Sequence, residues 1–374
     1  MTDLEQYISS FSEEPGYLDF ARVGPPGATV VAEEAAQLSL LSRARFGSLQ
    51  GLLREDERVR DAIAALTGFR ADQVAFQPNT STALMHAMFG LTGTVALSPA
   101  EFPSVSYAVA RAAEALTVVE PLWLTTDHGR VLPGNLREQL TPAVEAVAVS
   151  LVDFRTGYLA DLEGIRQVIG DRLLIVDAIQ GFGVVDAPYE LADVVAAGGQ
   201  KWVRAGWGTG FIALSDRALD RLTPVMSGFT GTDAADMPLD EILPPTRGVR
   251  AFTISNPDAI AEARFAAALE EIADVGVPAI NAKIAVAVSR IIDLADEYAV
   301  PVVSPRDEGE RAGIVVLEPA PDQLTVLTAS LHNHGVSTTA RGGTVRLGAH
   351  VSTDEESYAM LRAALVGYAS ATKV

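Results

Sequence analysis

The sequence contains no cysteine, and this absence removes a whole set of chemistries. Disulfide bonds, thiolate metal sites and cysteine nucleophiles are all excluded. Long apolar runs are also missing, because Asp, Glu or Arg interrupts them before they reach the length of a membrane span. The acidic, polar N-terminus lacks the basic and apolar regions of a secretory signal, so we expect a cytoplasmic protein.

Positive charge is scarce as well. Lys and Arg together number 28 against 48 Asp and Glu, which gives a formal net charge of -20. Such a surface repels phosphate backbones, so nucleic acid and anionic membranes are poor candidates for partners, and solubility is the simplest meaning of the charge. With 374 residues, 48% of them hydrophobic, the chain is long enough for a large domain and a smaller one packed against it.

Lysine is the rarest charged residue, occurring only as Lys201, Lys283 and Lys373. Lysine can lose its proton and attack a carbonyl carbon, whereas arginine stays charged, so each lysine is a candidate for amine chemistry. Lys373 lies beside the carboxyl terminus, where chains often fray. Lys283 falls in a stretch of helical periodicity, which indicates a solvated position. Lys201 follows an apolar run ending in two glycines, and its position alone leaves functional and structural roles equally open.

Short β-rich runs alternate with helical stretches over much of the chain. Thr94–Leu97, Ala146–Val152 and Leu173–Val176 are examples of such runs, and Ser104–Ala115 and Leu162–Gly170 are helical stretches that separate them. This alternation predicts an α/β fold with a mostly parallel sheet sandwiched by helices. Ligands in such folds bind at the carboxyl ends of the strands.

The pattern changes near Gly231–Arg250, which is rich in Asp, Pro and Gly and indicates a long loop. The following stretch, Asp258–Ala299, is nearly all helical, and shorter strands and helices come after it. We therefore expect a large α/β domain over residues 17–250. Residues 1–16 and 251–374 would form a smaller α+β domain.

Two polar segments carry candidate chemistry. Asn79-Thr80-Ser81-Thr82 stands at a predicted helix N-terminus, where free N–H groups and hydroxyls can bind a phosphate, although ordinary helix capping is the commoner explanation. Asp177 ends an apolar strand, where a buried carboxylate needs a cationic or hydrogen-bonding partner. A protonated pyridine nitrogen is one such partner, and a loop-capping aspartate is the alternative.

The order of these features makes the sequence resemble the class V aminotransferase family, which includes cysteine desulfurases, kynureninases and isopenicillin-N-epimerase-like proteins. The phosphate loop comes first, then Asp177, then Lys201 after 24 residues. The resemblance runs from Tyr17-Leu18-Asp19 through Arg346–His350 and is most specific in Val176–Gly183 and Gly199–Trp202. It implies a PLP-dependent transferase-like fold whose large domain binds pyridoxal 5'-phosphate (PLP).

The resemblance implies a role for each matching cofactor residue. Lys201 would hold the cofactor as a Schiff base and later carry the Cα proton. Asp177 would pair with the pyridinium nitrogen, Gln180 would donate to the ring oxygen and Phe102 would stack on the ring, although a core aromatic is an equally good explanation for Phe102. The phosphate would be held by Asn79, Thr80, Ser81 and Gln200.

Substrate and partner contacts are also implied by the resemblance. Arg346 would bind the α-carboxylate of a small amino acid through its planar fork, and Arg22 and Arg155 are weaker candidates for the same pocket. Asn256, in the segment Thr253–Pro257, stands where a loop of the partner subunit completes the phosphate site in this family. A homodimer with a shared active site is therefore expected.

The sequence also departs from the family pattern. Gln200 replaces a histidine that precedes the lysine in many members, and Phe154 stands where desulfurases have an asparagine. Ser255-Asn256 replaces the usual Gly-Thr of the partner loop. The missing cysteine excludes the persulfide-forming desulfurase mechanism, while direct C–S elimination stays open.

We therefore expect an enzyme that acts on the α-amino group of a small amino acid, in the first place an aminotransferase. A β-eliminating C–S lyase or a kynureninase-like hydrolase would share its first steps. A non-catalytic α/β ligand-binding protein is a further alternative, because Gly181-Phe182-Gly183 is a fragment of a dinucleotide motif and Gln200 and Asn256 are altered. The five histidines have no spacing that indicates a metal site.

Overall fold

The computed structural model describes residues 2–233 and 240–372, so Lys373 lies outside the described residues. A seven-stranded sheet forms its centre, in the spatial order β1-β7-β6-β5-β4-β2-β3. The strands are β1 (Val74–Phe76), β2 (Gly93–Leu97), β3 (Val119–Trp123), β4 (Val144–Ser150), β5 (Leu173–Asp177), β6 (Val194–Gly198) and β7 (Gly210–Leu214).

Five neighbouring strands of this sheet, from β6 to β3, run parallel, and β7 is antiparallel to both β6 and β1. The predicted α/β fold with a mostly parallel sheet is therefore confirmed. Every residue of β5, β6 and β7 is buried, because helices cover both faces and no side of these strands meets water. The carboxyl ends of β4, β5 and β6 lie at one edge, where the candidate site forms.

Helices pack on the two faces of the sheet through alternate residues of the strands. Ile175 faces the core formed with α5 and α6, while Leu174 and Val176 face the core formed with α4 and α8. The helices up to β7 and directly after it are α1 (Asp3–Ser9), α2 (Ala28–Arg43), α3 (Ser48–Leu52), α4 (Glu55–Thr67), α5 (Thr80–Gly90), α6 (Pro103–Leu116), α7 (Pro133–Gln139), α8 (Leu162–Ile169) and α9 (Asp216–Arg221).

Sequence periodicity located α6 and α8 to within one residue at each end. It did not indicate α2, whose apolar residues Val31, Leu38 and Leu41 are exposed, so this helix has no clear inward stripe. Within the long loop predicted over Gly231–Arg250, residues 234–239 lie outside the described part. The loop's described residues include a bridge between Thr232 and Pro245.

The C-terminal part contains a second, antiparallel sheet in the order β8-β10-β9, as the prediction of a separate C-terminal α+β region requires. Its elements are α10 (Ala259–Val275), α11 (Val277–Glu297), β8 (Ile314–Leu317), α12 (Leu324–Asn333), β9 (Thr339–Arg341), β10 (Thr344–Gly348) and α13 (Glu355–Thr372). The hairpin of β9 and β10 turns through Gly342 and Gly343, both at positive φ, a backbone conformation that glycine adopts without strain.

The stretch Asp258–Ala299, predicted to be nearly all helical, consists of two helices. Gly276, at φ +85°, ends α10, and Pro278 then starts α11 in its first turn, where the missing N–H costs nothing. Among the described residues, no single helix has the length and apolarity to cross a bilayer. The consecutive helices α10 and α11 are long and apolar enough when taken together, but the chain bends by 84° between them.

The N-terminal segment 17–22 joins the two sheets. Asp19 forms a parallel bridge to Gly348 at the end of β10, and the Gly348 N–H donates to Leu18 O. Further along, the Gly24 N–H donates to Gln200 O, next to Lys201. Residues near the start of the chain therefore reach the carboxyl edge of the large sheet.

Candidate active site

Lys201 follows β6 by three residues, in a turn held by backbone hydrogen bonds from Ala205 N to Gly199 O and from Gly24 N to Gln200 O. Its side chain is buried, and its Nζ lies 5.4 Å from the centroid of the Phe102 ring. Burial lowers the pKa of the amine to about 8, against an opposing pull from Asp177. Lys201 is therefore partly neutral near physiological pH, as a nucleophilic amine must be.

Asp177 ends β5, the strand beside β6, and its carboxyl group is buried. Oδ1 accepts a hydrogen bond from Ile179 N at 3.1 Å, whereas Oδ2 has no partner among the described residues. Burial raises the pKa of Asp177 to about 6, and the Ile179 N–H and Lys201 oppose this rise. A buried carboxylate oxygen without a donor fits a ligand that brings a charged N–H to it.

The first turn of α5 contains the predicted phosphate residues. Asn79 caps the helix by accepting from Thr82 N at 2.9 Å, and Ser81 Oγ pairs with Ser104 Oγ at 2.7 Å. Thr80 Oγ1 is buried and has no hydrogen-bond partner in the described part of the chain. The N–H groups of this turn also point away from the helix, so the turn can bind an anion.

Gly198, the last residue of β6, faces the same turn. A Cβ atom at this position would lie 2.4 Å from Gln200 Oε1 and 3.1 Å from Thr80 Oγ1, so a side chain there would displace the Gln200 amide. Gln200 and Thr80 thus meet beside Gly198, between the end of β6 and the start of α5. Both side chains are thus within reach of one group bound between the end of β6 and the start of α5.

Gln180 is held by two hydrogen bonds. Its Oε1 accepts from Trp202 Nε1 at 2.8 Å, and its Nε2 donates to Ala21 O at 3.0 Å. The Nε2 group carries two hydrogens, so one donor is left beyond the bond to Ala21. The amide is therefore oriented by the protein, with a single N–H available to a ring oxygen.

Phe102 and Phe154 form the aromatic part of the site. Their rings meet edge to face, with centroids 5.1 Å apart and an interplanar angle of 88°. The Phe154 carbonyl accepts from Arg346 Nη1 at 3.3 Å, and the Arg155 guanidinium lies 5.7 Å from the Phe154 ring centroid. Phe154 thus connects the residues around Lys201 with the predicted substrate arginines.

Arg346 lies on β10 and is mostly buried, with its Nε lacking a partner among the described residues. Burial lowers the pKa of its guanidinium, and Asp19, at 4.0 Å, is the one carboxylate that pairs with it in the described part of the chain. Arg22 is also 4.0 Å from Asp19 but is largely exposed. Arg155 approaches Asp153 at the same distance. The structure brings Arg346 and Arg22 together, while Arg155 stands apart beyond Phe154.

Asn256 is the one predicted cofactor residue that lies away from this cluster. It is exposed and lines a separate cavity of about 290 Å³, together with Arg60, Arg250 and Glu262. Within one chain it is not brought together with Lys201. Its proposed role therefore depends on a second subunit.

Three charged residues near the site were not predicted to take part. Asp19 accepts from Thr339 Oγ1 with both oxygens, at 2.8 and 2.9 Å. Arg341 on β9 is close enough to Lys201 to lower the pKa of its amine. Glu101 is buried and accepts from Ser150 N at 3.1 Å. Asp19 and Glu101 lie within the region of family resemblance, and this resemblance was the sequence feature that could have identified them as site residues.

The chemistry of these groups fits PLP. Lys201 offers a partly neutral amine, Asp177 Oδ2 offers a buried acceptor for a protonated ring nitrogen, and Thr80 offers an unpaired hydroxyl at a helix N-terminus. No two of these groups pair with each other, so each is open to a different part of one ligand. The fold and the site define a PLP-dependent enzyme of the PLP-dependent transferase fold.

Comparison with known families agrees with this class. The family model described as aminotransferase class-V matches residues 48–374. The chain belongs to the class-V aminotransferase family.

Known relatives carry several activities in their names. A probable hercynylcysteine sulfoxide lyase from Mycobacterium tuberculosis (strain CDC 1551 / Oshkosh) is 26% identical over 279 residues, which cover 68% of this chain and 65% of the lyase. The chain thus matches slightly less than two thirds of that lyase. The uncharacterized aminotransferase YcbU from Bacillus subtilis (strain 168) is 25% identical over 314 residues, 81% of each chain.

Solved structures share the fold. The cystine C–S lyase C-DES, in a variant with glycine covalently linked to its PLP cofactor, superposes with a TM-score of 0.86. The sequence identity is 18%, and the match covers 98% of this chain and 99% of C-DES. This likeness supports the fold, and the reaction has to be argued from the site.

Proposed function

We propose that this protein is a PLP-dependent aminotransferase acting on the α-amino group of a small amino acid. The observation that carries the proposal is the meeting of Lys201, Asp177 and Thr80 at one edge of the sheet, with Asp177 Oδ2 and Thr80 Oγ1 both unpaired in the described structure. Such an arrangement supports both attachment of the cofactor and proton transfer beside it.

When bound, PLP supplies an electron sink that makes the Cα proton of an attached amino acid removable. Lys201 would hold the cofactor through its amine, and its Nζ would carry the Cα proton. A pKa of about 8 suits this base, because proton transfer works best when the pKa lies near the operating pH. The unpaired Asp177 Oδ2 would accept a hydrogen bond from a protonated ring nitrogen.

The remaining residues orient the two ligands. Thr80 and Ser81 would hold the phosphate with N–H and hydroxyl donors, and Gln200 would contact the same phosphate. Asn79 caps the helix and so fixes the geometry of its first turn. Phe102 covers the ring and excludes water from Nζ. Arg346 binds the α-carboxylate, because its fork matches a carboxylate and its own carboxylate partner is distant.

A C–S lyase is the second candidate. It is favoured by the relative named as a hercynylcysteine sulfoxide lyase. Removal of the Cα proton by Lys201 serves both reactions, and the lyase differs only in losing a sulfur leaving group from Cβ. A persulfide-forming route through cysteine is excluded, because the chain has none.

The same proposal includes a cytoplasmic homodimer with a shared active site. Several large apolar residues of α2 and the following segment are exposed, among them Leu38, Phe46 and Leu53. An exposed apolar surface of this kind suits a subunit interface. Asn256 would then reach the phosphate of the partner subunit, since it lies away from Lys201 of its own chain.

The test is a substrate panel on the PLP-loaded protein. Amino acids are supplied with and without a 2-oxo acid as amino acceptor. Product that forms only with the acceptor supports transamination. Pyruvate and a free thiol from a cysteine conjugate, formed without acceptor, identify a lyase instead.

The lysine is tested separately by borohydride reduction and peptide mapping. PLP should be found on Lys201, and Lys201→Ala should retain reversible cofactor binding while turnover is lost. Lys283→Ala is the matched control, since Lys283 is an exposed residue of α11. A protein that binds no PLP, or that retains turnover in Lys201→Ala, rules out the proposed mechanism.

A further inference from the structure

Three arginines, Arg22, Arg341 and Arg346, lie close together beside the candidate site, and two of them approach one carboxylate, Asp19. Arg22 and Arg346 each lie 4.0 Å from Asp19. Arg341 and Arg22 are both near enough to Arg346 to lower the pKa of its guanidinium. In a chain of net charge -20, a group of three arginines with one nearby carboxylate is a local exception.

The β9–β10 hairpin explains how two of these arginines come together. Arg346 pairs with Thr339 across the hairpin, and Arg341 follows Thr339 by two residues. Alternate residues of a strand share a face, and directly paired residues share it too. Thr339, Arg341 and Arg346 therefore project from the same face of the hairpin. Thr339 donates to both oxygens of Asp19, so this face is turned towards the N-terminal segment and Arg22.

The ion pairs of the site are looser than those elsewhere. Arg22 and Arg346 approach Asp19 only to 4.0 Å, beyond hydrogen-bond distance. Outside the site region, the arginine–carboxylate pairs of the described residues are 3.3 Å apart or closer, as between Arg311 and Glu308. Asp19 is instead occupied by the Thr339 hydroxyl. The guanidinium forks of Arg22 and Arg346 are thus not taken up by the protein's own carboxylates.

The three arginines carry more positive charge than Asp19 and one substrate carboxylate can offset. Asp19 offsets one of the three guanidinium charges, and the α-carboxylate of an amino acid offsets a second. One guanidinium charge is then left, carried by the exposed side chains of Arg22 and Arg341. Both side chains are near Arg346, so they can reach a ligand that Arg346 binds.

We propose that the substrate carries a second carboxylate on its side chain, which Arg341 and Arg22 bind while Arg346 holds the α-carboxylate. This inference rests on the proposed function, because it assigns Arg346 to an amino acid, and it narrows the substrate to the dicarboxylic class. Planar guanidinium groups suit this role, since each can offer two parallel N–H donors to a carboxylate.

The experiment measures binding without turnover. Succinate and glutarate are titrated calorimetrically into the PLP-loaded protein, alongside succinamate and glutaramate, in which one carboxylate is replaced by a neutral amide of the same shape. The expected result is that at least one diacid binds about tenfold more tightly than its monoamide or better, as loss of a charge-assisted pair requires.

Arg341→Gln should reduce that preference to less than about threefold, and Arg341→Lys should restore part of it, because lysine keeps the charge without the fork. Arg137→Gln is the matched control, an exposed arginine on α7 that should leave the preference unchanged. Equal affinity for diacid and monoamide in the unmodified protein overturns the inference. So does an Arg341→Gln variant that weakens both probes alike, or an absence of measurable diacid binding at millimolar concentration.

The outcome is separable from that of the proposed function. If the protein prefers the diacid but transfers no amino group, the inference about the substrate is supported and the aminotransferase proposal is refuted. If it transaminates alanine but binds both probes equally, the aminotransferase proposal is supported and the inference is refuted.

Discussion

Asp177 ends β5, Lys201 follows the adjacent parallel strand β6, and each residue shifts the pKa of the other. Burial alone would push the carboxyl towards its neutral form and the amine towards its neutral form. Lys201 opposes the first shift and Asp177 opposes the second, which leaves their pKa values at about 6 and about 8. At neutral pH the Asp177 carboxyl group is therefore mostly ionised, while a fraction of the Lys201 amine is neutral.

Replacement of Asp177 should affect both partners of this pair. In Asp177→Asn the charge that raises the Lys201 pKa is lost, so the amine should titrate below pH 8. Turnover should fall roughly 100-fold, as on removal of other electrostatic groups at a reacting centre. The pH dependence of cofactor attachment to the apoprotein measures the first effect and kcat the second. Asp177→Glu is the control that keeps the charge, and an unchanged attachment profile in Asp177→Asn would contradict the coupling.

Arg346 influences the same amine with the opposite sign. It lowers the Lys201 pKa, so Arg346→Gln should raise the pH at which cofactor attachment is half-maximal, while Arg346→Lys should leave it nearly in place. Attachment requires the neutral amine, so the rate below that pH should fall about tenfold per unit. The measurement is the absorbance of bound cofactor after mixing at a series of pH values. A midpoint that moves down in Arg346→Gln would refute this assignment.

The unpaired hydroxyl of Thr80 predicts opposite effects in the apoprotein and in the loaded protein. Thr80→Val removes a buried hydroxyl that has no partner in the described structure, so thermal stability without cofactor should be equal or higher. Affinity for PLP should fall about tenfold, because one charge-assisted hydrogen bond to the phosphate is lost. Differential scanning calorimetry and cofactor titration provide the two readouts. Thr80→Ser keeps the hydroxyl and should behave like the unmodified protein in both.

Glu101 predicts a pH-dependent stability. Burial raises its pKa to about 8, although it accepts from Ser150 N and from Ser150 Oγ at 2.5 Å. A raised folded pKa favours the protonated folded state, so this contribution is complete below the unfolded pKa and is lost as pH rises to about 8. Glu101→Gln should therefore be neutral at pH 5 and more stable than the unmodified protein at pH 9. Melting temperatures across this range test it, and parallel curves for the two proteins would contradict it.

Arg204 is the most buried arginine of an ion pair in the described structure, at 1% exposure, and it binds Glu13, Ser352 and the Pro25 carbonyl. Arg204→Met should cost about 3–5 kcal/mol in the free energy of unfolding, because Glu13 loses its charged partner in a partly buried site. The same change at Arg290, whose pair with Glu355 is exposed, should cost less than about 1 kcal/mol. Urea titrations compare the two. Equal losses would mean that the Arg204 cluster does not support the fold.

The large sheet and the order of Asp177 and Lys201 could be predicted because they depend on local patterns. Continuous apolar runs mark buried strands, and polar residues directly after such strands must meet at one edge. The break at Gly276 was harder, since one glycine in a helical pattern does not by itself end a helix. The contact of Asp19 with Thr339 joins residues 320 positions apart, and no periodicity in either segment indicates it. Arg341 was missed for the same reason, because only the fold brings β9 to Lys201.

Residues 17–22 contact both sheets. Leu18 exchanges hydrogen bonds with Ser337 and Gly348 in the C-terminal part, and Ala21 O accepts from Gln180 after β5. A movement of the small sheet relative to the large one would therefore have to break some of these hydrogen bonds or displace residues 17–22 as well. The start of the chain thus couples the position of β10, which carries Arg346, to that of the turn around Lys201.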